Sequence, residues 1–420
     1  MKNPLWLTKW FDELICKSQF EVEEIPFSES QSWSFEEGAL RHKSGRFFQI
    51  VGAGSQPFIE QREIGTLGFL MRVGKFKELL LQAKIEPGNI GIVQLSPSCQ
   101  ATASNLSMVH GGSLPLGAEY FKDDAGLISQ SLQSEQGTRF LGKRNLNVLK
   151  MIQGDIEECD AHRWLAVDEV LELLKMDYLI NTDARSVLVS SPWRDLIDRE
   201  PFTRCGDRLS KELAASFAKP LRSDKLSSLR AELALLRSQK HEGLVPVSLD
   251  KLQGWNLTKK ELIPVSGSPF RVKQIRVQAY GREVPSWDQP IIDSSGQGLV
   301  DLEIVRVKGV LYCVFRLQIE DGLDNQIQLG PSFLVEPGDK LLLNENAEKG
   351  KNLIEAYQSD EGGRFWQDSS LYRIIDLGEQ QDFPINTYCL TLAEVQDLLL
   401  EGEQFTNEAR SVLALLLTWL

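Results

Sequence analysis

Histidine and cysteine are scarce in this 420-residue chain, and the few present do not gather. His42, His110, His162 and His241 stand far apart, and Cys16, Cys99, Cys159, Cys205, Cys313 and Cys389 form no Cys-x-x-Cys pair, so the ligand spacing of a zinc or redox-disulfide protein is missing. The cysteines read as buried apolar residues of a reducing compartment. The chain also lacks G-x-x-x-x-G-K-S/T and any G-x-G-x-x-G that opens a helix after a strand, which leaves P-loop NTPases and ordinary Rossmann oxidoreductases without support. No apolar run approaches the roughly 20 residues that cross a bilayer. The opening MKNPLWLTKWFDELICK carries Asp12 and Glu13 among its apolar residues, so it reads as a helix docked on its own domain and not as a signal peptide. Positive charge is short as well: 46 Lys plus Arg against 59 Asp plus Glu leave a formal charge of -13, which argues against a nucleic-acid surface. These absences lead to the expectation of a cytoplasmic protein with neither a membrane nor a nucleic-acid partner.

What the chain does have is repetition. Gln133 to Phe140 reads QSEQGTRF and Gln358 to Phe365 reads QSDEGGRF; the same offset of 225 relates WLAVDEVLELL at Trp164 to CLTLAEVQDLL at Cys389, and ARSVL at Ala184 to ARSVL at Ala409. Upstream the offset is 234, so the first copy holds nine extra residues between Ser98 and Gln133, around the glycine pair that follows His110. Copies of this length are duplicated domains and not the short units of a solenoid. The division expected is an N-terminal helix at residues 1–24, a first repeat at 25–193, a helical linker at 194–244 and a second repeat at 245–420. Leu226, Leu229, Leu233 and Leu236 give the linker a helical face, with Ser223 or Asp224 as its cap. Short β-rich runs (Phe47 to Val51, Gly309 to Leu317) and one strong amphipathic helix per copy (Ala166 to Lys175, Leu392 to Glu401) define an α+β class, a mixed sheet flanked by helices.

Four polar stretches are candidates for chemistry. The QSEQGTRF and QSDEGGRF loops place Glu135 and Glu361 beside a glycine that permits close backbone approach, with Arg139 and Arg364 suited to a phosphate; the plain alternative is a hairpin satisfying its own turn. Lys143 and Arg144 to Asn147 form a compact cation and amide cluster, or else a solvated strand edge. The aligned Asp368, Ser369, Ser370, Leu371 and Tyr372 have lost the positive charge. NTDARS and TNEARS suit a helix start capped by Asn181 or Asn407, with Arg185 and Arg410 either pairing the neighbouring acid or meeting a ligand.

Together these motifs resemble the NDP-hexose 2,3-dehydratase family. The resemblance runs through HKSGRFF at His42, EIGTLGFL at Glu63, QAKIEPGNIGIVQLSPSCQAT at Gln82, VHGG at Val109, QSEQG with KRNLN, REVPSWDQPII at Arg282, SDEGGRF and NEARSVL. It implies two tandem Nudix-like domains, a homodimer, and a dTDP-linked 4-keto-6-deoxyhexose as substrate, with no metal and no nicotinamide cofactor. Neither copy carries the Arg-Glu and Glu-Glu helix that gives a hydrolytic Nudix domain its metal. Carried over by position, the resemblance puts nucleotide-contacting residues at Arg144, Asn145, Leu146, Asn147, Asn181, Thr182 and Arg185, and in the second copy at Trp287, Arg364, Ser369, Ser370, Leu371, Tyr372, Asn407, Glu408, Ala409 and Arg410. Ser55 stands where a counterpart of the base-stacking Trp287 is expected.

The implied reaction suits such residues. A C4 ketone acidifies the C3 proton, a base removes it, donors hold the enolate oxygen, and the C2 hydroxyl departs with an acid's help. Glu135, Glu361 and His110 are the candidate acid and base, with Tyr372 next. The alternative is a catalytically silent nucleotide-sugar-binding module on the same fold.

Overall fold

The computed structural model describes residues 3–102, 116–221, 223–239, 243–266, 270–280, 284–294, 296–340 and 342–420. It is α+β, with four sheets and few helices among the described residues. Two of the sheets have seven strands, and they match strand for strand. In the first, Leu127–Ser134, Arg144–Met151, Gly65–Val73, Lys77–Ile85 and His162–Ala166 lie side by side in that order; in the second, Lys351–Ser359, Ser369–Gln380, Gly298–Val307, Val310–Ile319 and Tyr388–Leu390 do the same. Each has one parallel pairing at its centre, Asn145 on Gly65 and Ser370 on Gly298, in otherwise antiparallel company. Gly298–Val307 is buried along its whole length, with no alternation between a core and a solvent face. Lys308 and Gly309, at φ of 53° and 73°, make the two-residue turn that matches the twist of the strands it joins.

Between the two large sheets lie two short helices, Thr182–Val189 and Asn407–Ala414, packed on each other across the local twofold axis. Thr182 Oγ1 donates to Asn407 Oδ1 at 3.1 Å close to that axis. One continuous apolar core runs from Phe69 and Leu81 of the first repeat through Leu188 and Leu413 to Ile304 and Phe315 of the second. The caps of the two helices differ. Asn181 accepts from the Ala184 N–H as the spacing predicts, whereas in the second copy Thr406, and not Asn407, caps Ala409.

The repeats are tied by exchanged strands. Helix Leu5–Ser18 packs on the first repeat, where Trp10 Nε1 donates to the Asp160 carbonyl at 2.7 Å, but the next strand, Glu21–Ile25, pairs with Phe270–Gln278 of the second. Helix Ser223–Ser238 is its counterpart. It packs on the second repeat through Lys225 to Glu394 and Arg230 to Asp397, and the strand after it, Pro246–Val247, pairs with Gln49–Ala53 of the first. Trp33 Nε1 donates to the Asp288 carbonyl at 2.7 Å, and Trp255 Nε1 donates to the Ser55 carbonyl at 3.0 Å, another reciprocal pair. This register makes Ser55 the counterpart of Asp288, so Gly54 and not Ser55 is the residue opposite Trp287. Three of the six cysteines, Cys16, Cys159 and Cys205, are exposed; Cys99, Cys313 and Cys389 are buried as the composition suggests.

Candidate active site

The duplicated QSEQG and QSDEG loops are clasps between the repeats. The Gly88 N–H donates to the Gly362 carbonyl at 2.8 Å, and the Gly322 N–H donates to the Gly137 carbonyl at 2.9 Å. A Cβ at Gly362 would stand 2.1 Å from Asn89 Oδ1 and 2.6 Å from the Asn89 nitrogen, and one at Gly137 would stand 2.5 Å from Leu323 Cγ. The glycines therefore let one repeat approach the other repeat's backbone. Each loop carries its acids across the interface with it.

The crossing builds two carboxylate clusters. In the first, Glu135 of the first repeat accepts from Asn145 Nδ2 at 2.6 Å and from Asn407 Nδ2 of the second at 3.0 Å. Glu361 of the second repeat accepts from Gln100 Nε2 of the first at 3.3 Å, and Gln100 Oε1 in turn accepts from Asn181 Nδ2. Burial raises the Glu135 carboxyl to about 7, opposed by Arg410 and reinforced by Glu361. Asp183 lies in the same field and is pushed well above the usual carboxylate range by burial, then by Glu361 and Glu135. Lys143, 5% exposed, donates to the Glu63 carbonyl at 2.7 Å, and burial lowers its ammonium against the pull of Glu135 and Glu361.

The second cluster is related by the repeat but differs in charge. Ser134 pairs with Arg144 and Ser359 with Ser369, so Lys143 and Asp368 hold equivalent positions. Around Asp368 lie the buried Glu320 and Glu408 and the half-buried Glu336 and Asp360, all raised first by desolvation, Glu320 and Asp368 to about 8. Tyr372 and Arg139 face the same group.

Two cavities adjoin the first cluster. One, of about 340 Å³, is lined by Trp33, His42, Arg46, Phe48, Gln61, Glu63, Thr102, Trp287, Gln289 and Arg364. The other, of about 610 Å³, takes in Lys84, Glu86, Trp287, Gln289, Gly363 and Arg364. Trp287 and Arg364 thus stand between them, with Arg364 Cζ 4.0 Å over the Phe48 ring and its Nη2 donating to Gln61 at 3.1 Å. The aromatic faces and the guanidinium suit a base and a phosphate. A further cavity of about 710 Å³, near Arg41, Arg62 and Asp324, contains none of the residues proposed from sequence.

Of the sequence candidates, Glu135, Glu361, Asn145, Asn181, Asn407 and Arg410 come together at the first cluster, and Trp287 and Arg364 line the cavities beside it. Glu408 and Tyr372 belong to the second cluster. Arg185 and Arg410 are 0% and 1% exposed. Their guanidinium groups do not ion-pair with Asp183 or Glu408: Arg185 donates to the Ile180 and Ser359 carbonyls, and Arg410 donates to the Phe405 and Ser134 carbonyls, each also reaching a serine of the opposite helix. Strand alternation splits the other stretches. Asn147 donates to Ser186 and Ser190 inside the core, while Arg144 points outward to Asp324 and Glu403. Ser370 is buried, Leu146 and Leu371 are half-buried, and Ser369 meets the Tyr178 hydroxyl at 2.9 Å. Thr182 sits at the local axis, and Ala409 serves only as a capped helix residue. His110 lies outside the described residues. Sequence reasoning took Asp183 as a partner for Arg185 and missed Gln100 and the inward turn of Lys143; the opposed charges at 143 and 368 were the visible sign of the last.

Two glutamates from opposite repeats, each hydrogen-bonded to side-chain amides, thus lie in one polar cluster near cavities lined by Trp287 and Arg364. The model of the family described as NDP-hexose 2,3-dehydratase matches residues 6–190 and 228–416. The chain is 30% identical to dTDP-4-dehydro-6-deoxy-alpha-D-glucopyranose 2,3-dehydratase of Saccharopolyspora spinosa, over 96% of this chain and 89% of that protein. It is 31% identical to the proteins of the same name from Amycolatopsis orientalis and Streptomyces violaceoruber, over 96% of this chain and 88% and 95% of theirs. The chain belongs to the NDP-hexose 2,3-dehydratase family.

Proposed function

We propose that this protein is a hydro-lyase that removes water across C2 and C3 of a dTDP-linked 4-keto-6-deoxyhexose, in deoxysugar biosynthesis. One observation carries the placement of the chemistry: Glu135, a buried carboxyl brought to about 7, shares a cluster with Glu361 from the other repeat next to the Trp287 cavity. Such a carboxyl is divided between base and acid at neutral pH. It takes the C3 proton; the electron pair moves to the C4 oxygen and returns to form C2=C3 as the C2–O bond breaks. The leaving hydroxyl accepts a proton and departs as water, and the C3 enol relaxes to a 3,4-diketo-2,6-dideoxy sugar. Glu361 is placed to supply the second proton transfer, with the base of the nucleotide against Trp287 and its diphosphate toward Arg364.

We read each repeat as a Nudix-like unit that begins with its own helix, at Leu5 and at Ser223, in keeping with the two segments matched by the family. This moves residues 223–244 of the 194–244 segment from linker to second repeat. The homodimer and the cytoplasmic location belong to the same proposal; no helix among the described residues is long and apolar enough to cross a membrane. Incubation with dTDP-4-keto-6-deoxyglucose, followed by mass spectrometry, tests the function. A product lighter by one water, formed without added metal or NAD(P), is expected. Release of a nucleoside monophosphate instead, or binding without any product, overturns it.

A further inference from the structure

Lys143 is a buried cation whose surroundings do not account for its charge. Among the described residues its ammonium has no carboxylate within ion-pair distance, and its one hydrogen-bond acceptor is the Glu63 carbonyl at 2.7 Å. Two of its three N–H donors are thus left for something else. A buried ammonium is costly to hold without such a partner. The hairpin itself does not require it, since Asp368 fills the same position in the second repeat with the opposite charge.

Its neighbours are the groups the reaction needs. The Glu135 N–H donates to the Lys143 carbonyl at 3.0 Å, so the proposed base and this lysine stand opposite each other on one hairpin. Glu361, Asp183 and Arg364 are the other charges that face it. Glu63, whose carbonyl anchors the ammonium, lines the 340 Å³ cavity together with Trp287 and Arg364. Resting on the dehydratase reading, we propose that the Lys143 ammonium binds the C4 oxygen of the sugar and stabilises the enolate formed when the C3 proton leaves. The proton goes to Glu135, the electron pair rests on the C4 oxygen against the ammonium, and the same pair returns to expel the C2 hydroxyl. The lysine gives no atom to the product. Its fixed charge favours the transition state over the neutral ketone, which is how preorganised donors lower a barrier.

The test uses full-length protein and two uncharged variants, Lys143→Met and Lys143→Gln. Exchange of the C3 hydrogen with deuterated solvent, water loss and dTDP affinity are measured for each. A fall of roughly 100-fold or more in both exchange and kcat, with dTDP affinity within a few-fold of wild type, is the expected result. A lysine that only supports the fold would lower the melting temperature and dTDP binding together, and that outcome overturns the assignment, as does exchange at the wild-type rate in either variant. Wild-type protein that turns over no 4-keto sugar nucleotide overturns the functional reading itself; wild-type turnover with an unimpaired Lys143→Met overturns the lysine's role alone.

Discussion

Glu135 owes its place to two amides from different repeats, Asn145 and Asn407, and its raised carboxyl chiefly to burial. Glu135→Gln keeps the volume and loses the base. It should lower kcat by roughly 100-fold or more while dTDP binding, read by calorimetry, stays close to wild type, because the nucleotide lies away from the reacting carbons. The base form of a carboxyl at about 7 is depleted as pH falls, so kcat of the wild type should decline on the acid side of neutrality and that limb should disappear in the variant. A pH profile of both proteins decides this. The glutamates were legible in the sequence because each repeat puts an acid one or two residues before a glycine that the clasp requires. Lys143 was not, since a Lys-Arg pair at a strand start reads equally well as solvated edge, and only the hairpin's tilt tells that Arg144 turns out to Asp324 while Lys143 turns in to Glu63.

At the scale of elements, the α+β class and the two amphipathic helices followed from periodicity and composition: the run Ala166 to Lys175 forms a helix over Val167–Leu173, and Leu392–Glu401 is a helix that starts on a capping box of Thr391 and Glu394. The strand exchanges were not legible. Glu21–Ile25 and Pro246–Val247 carry ordinary β patterns, and nothing local says which repeat's sheet they join. The arginines illustrate the same limit: ARSVL was visible twice, but its guanidinium groups satisfy carbonyls more than 170 residues away in sequence, Ser359 for Arg185 and Ser134 for Arg410. Gly362 shows what the clasp demands. Gly362→Ala drives a Cβ into the Asn89 backbone, and the variant should melt well below wild type, with a loss on the order of 1–3 kcal/mol in denaturant titration. An unchanged midpoint would mean that the two loops do not bear on each other.

For the molecule as a whole, the second cluster sets a pH dependence. Glu320 and Asp368, at about 8, and Glu135, at about 7, all lie above their ordinary values, so the native state holds protons that the unfolded chain gives up. Stability from such groups is complete below the unfolded pKa of roughly 4 and drains away as pH rises through 7 to 8. The melting temperature should therefore be higher at pH 6 than at pH 8.5, and Asp368→Asn should flatten that slope; a melting temperature that climbs over this interval contradicts the assignment. Calorimetry with dTDP should also distinguish the clusters, a strong site beside Lys143 and a weak or silent one beside Asp368, and two equal strong sites would refute the difference. Heating should give one transition and not two, because the core and the exchanged strands leave neither repeat a complete fold of its own. After a gene doubles, one copy is ordinarily free to drift while the other keeps the old trade. Here that freedom is absent: with Glu361 serving the cluster of Glu135, and Asn407 holding it, any change that specialises one copy also edits the other's workplace, so the halves have had to diverge in step.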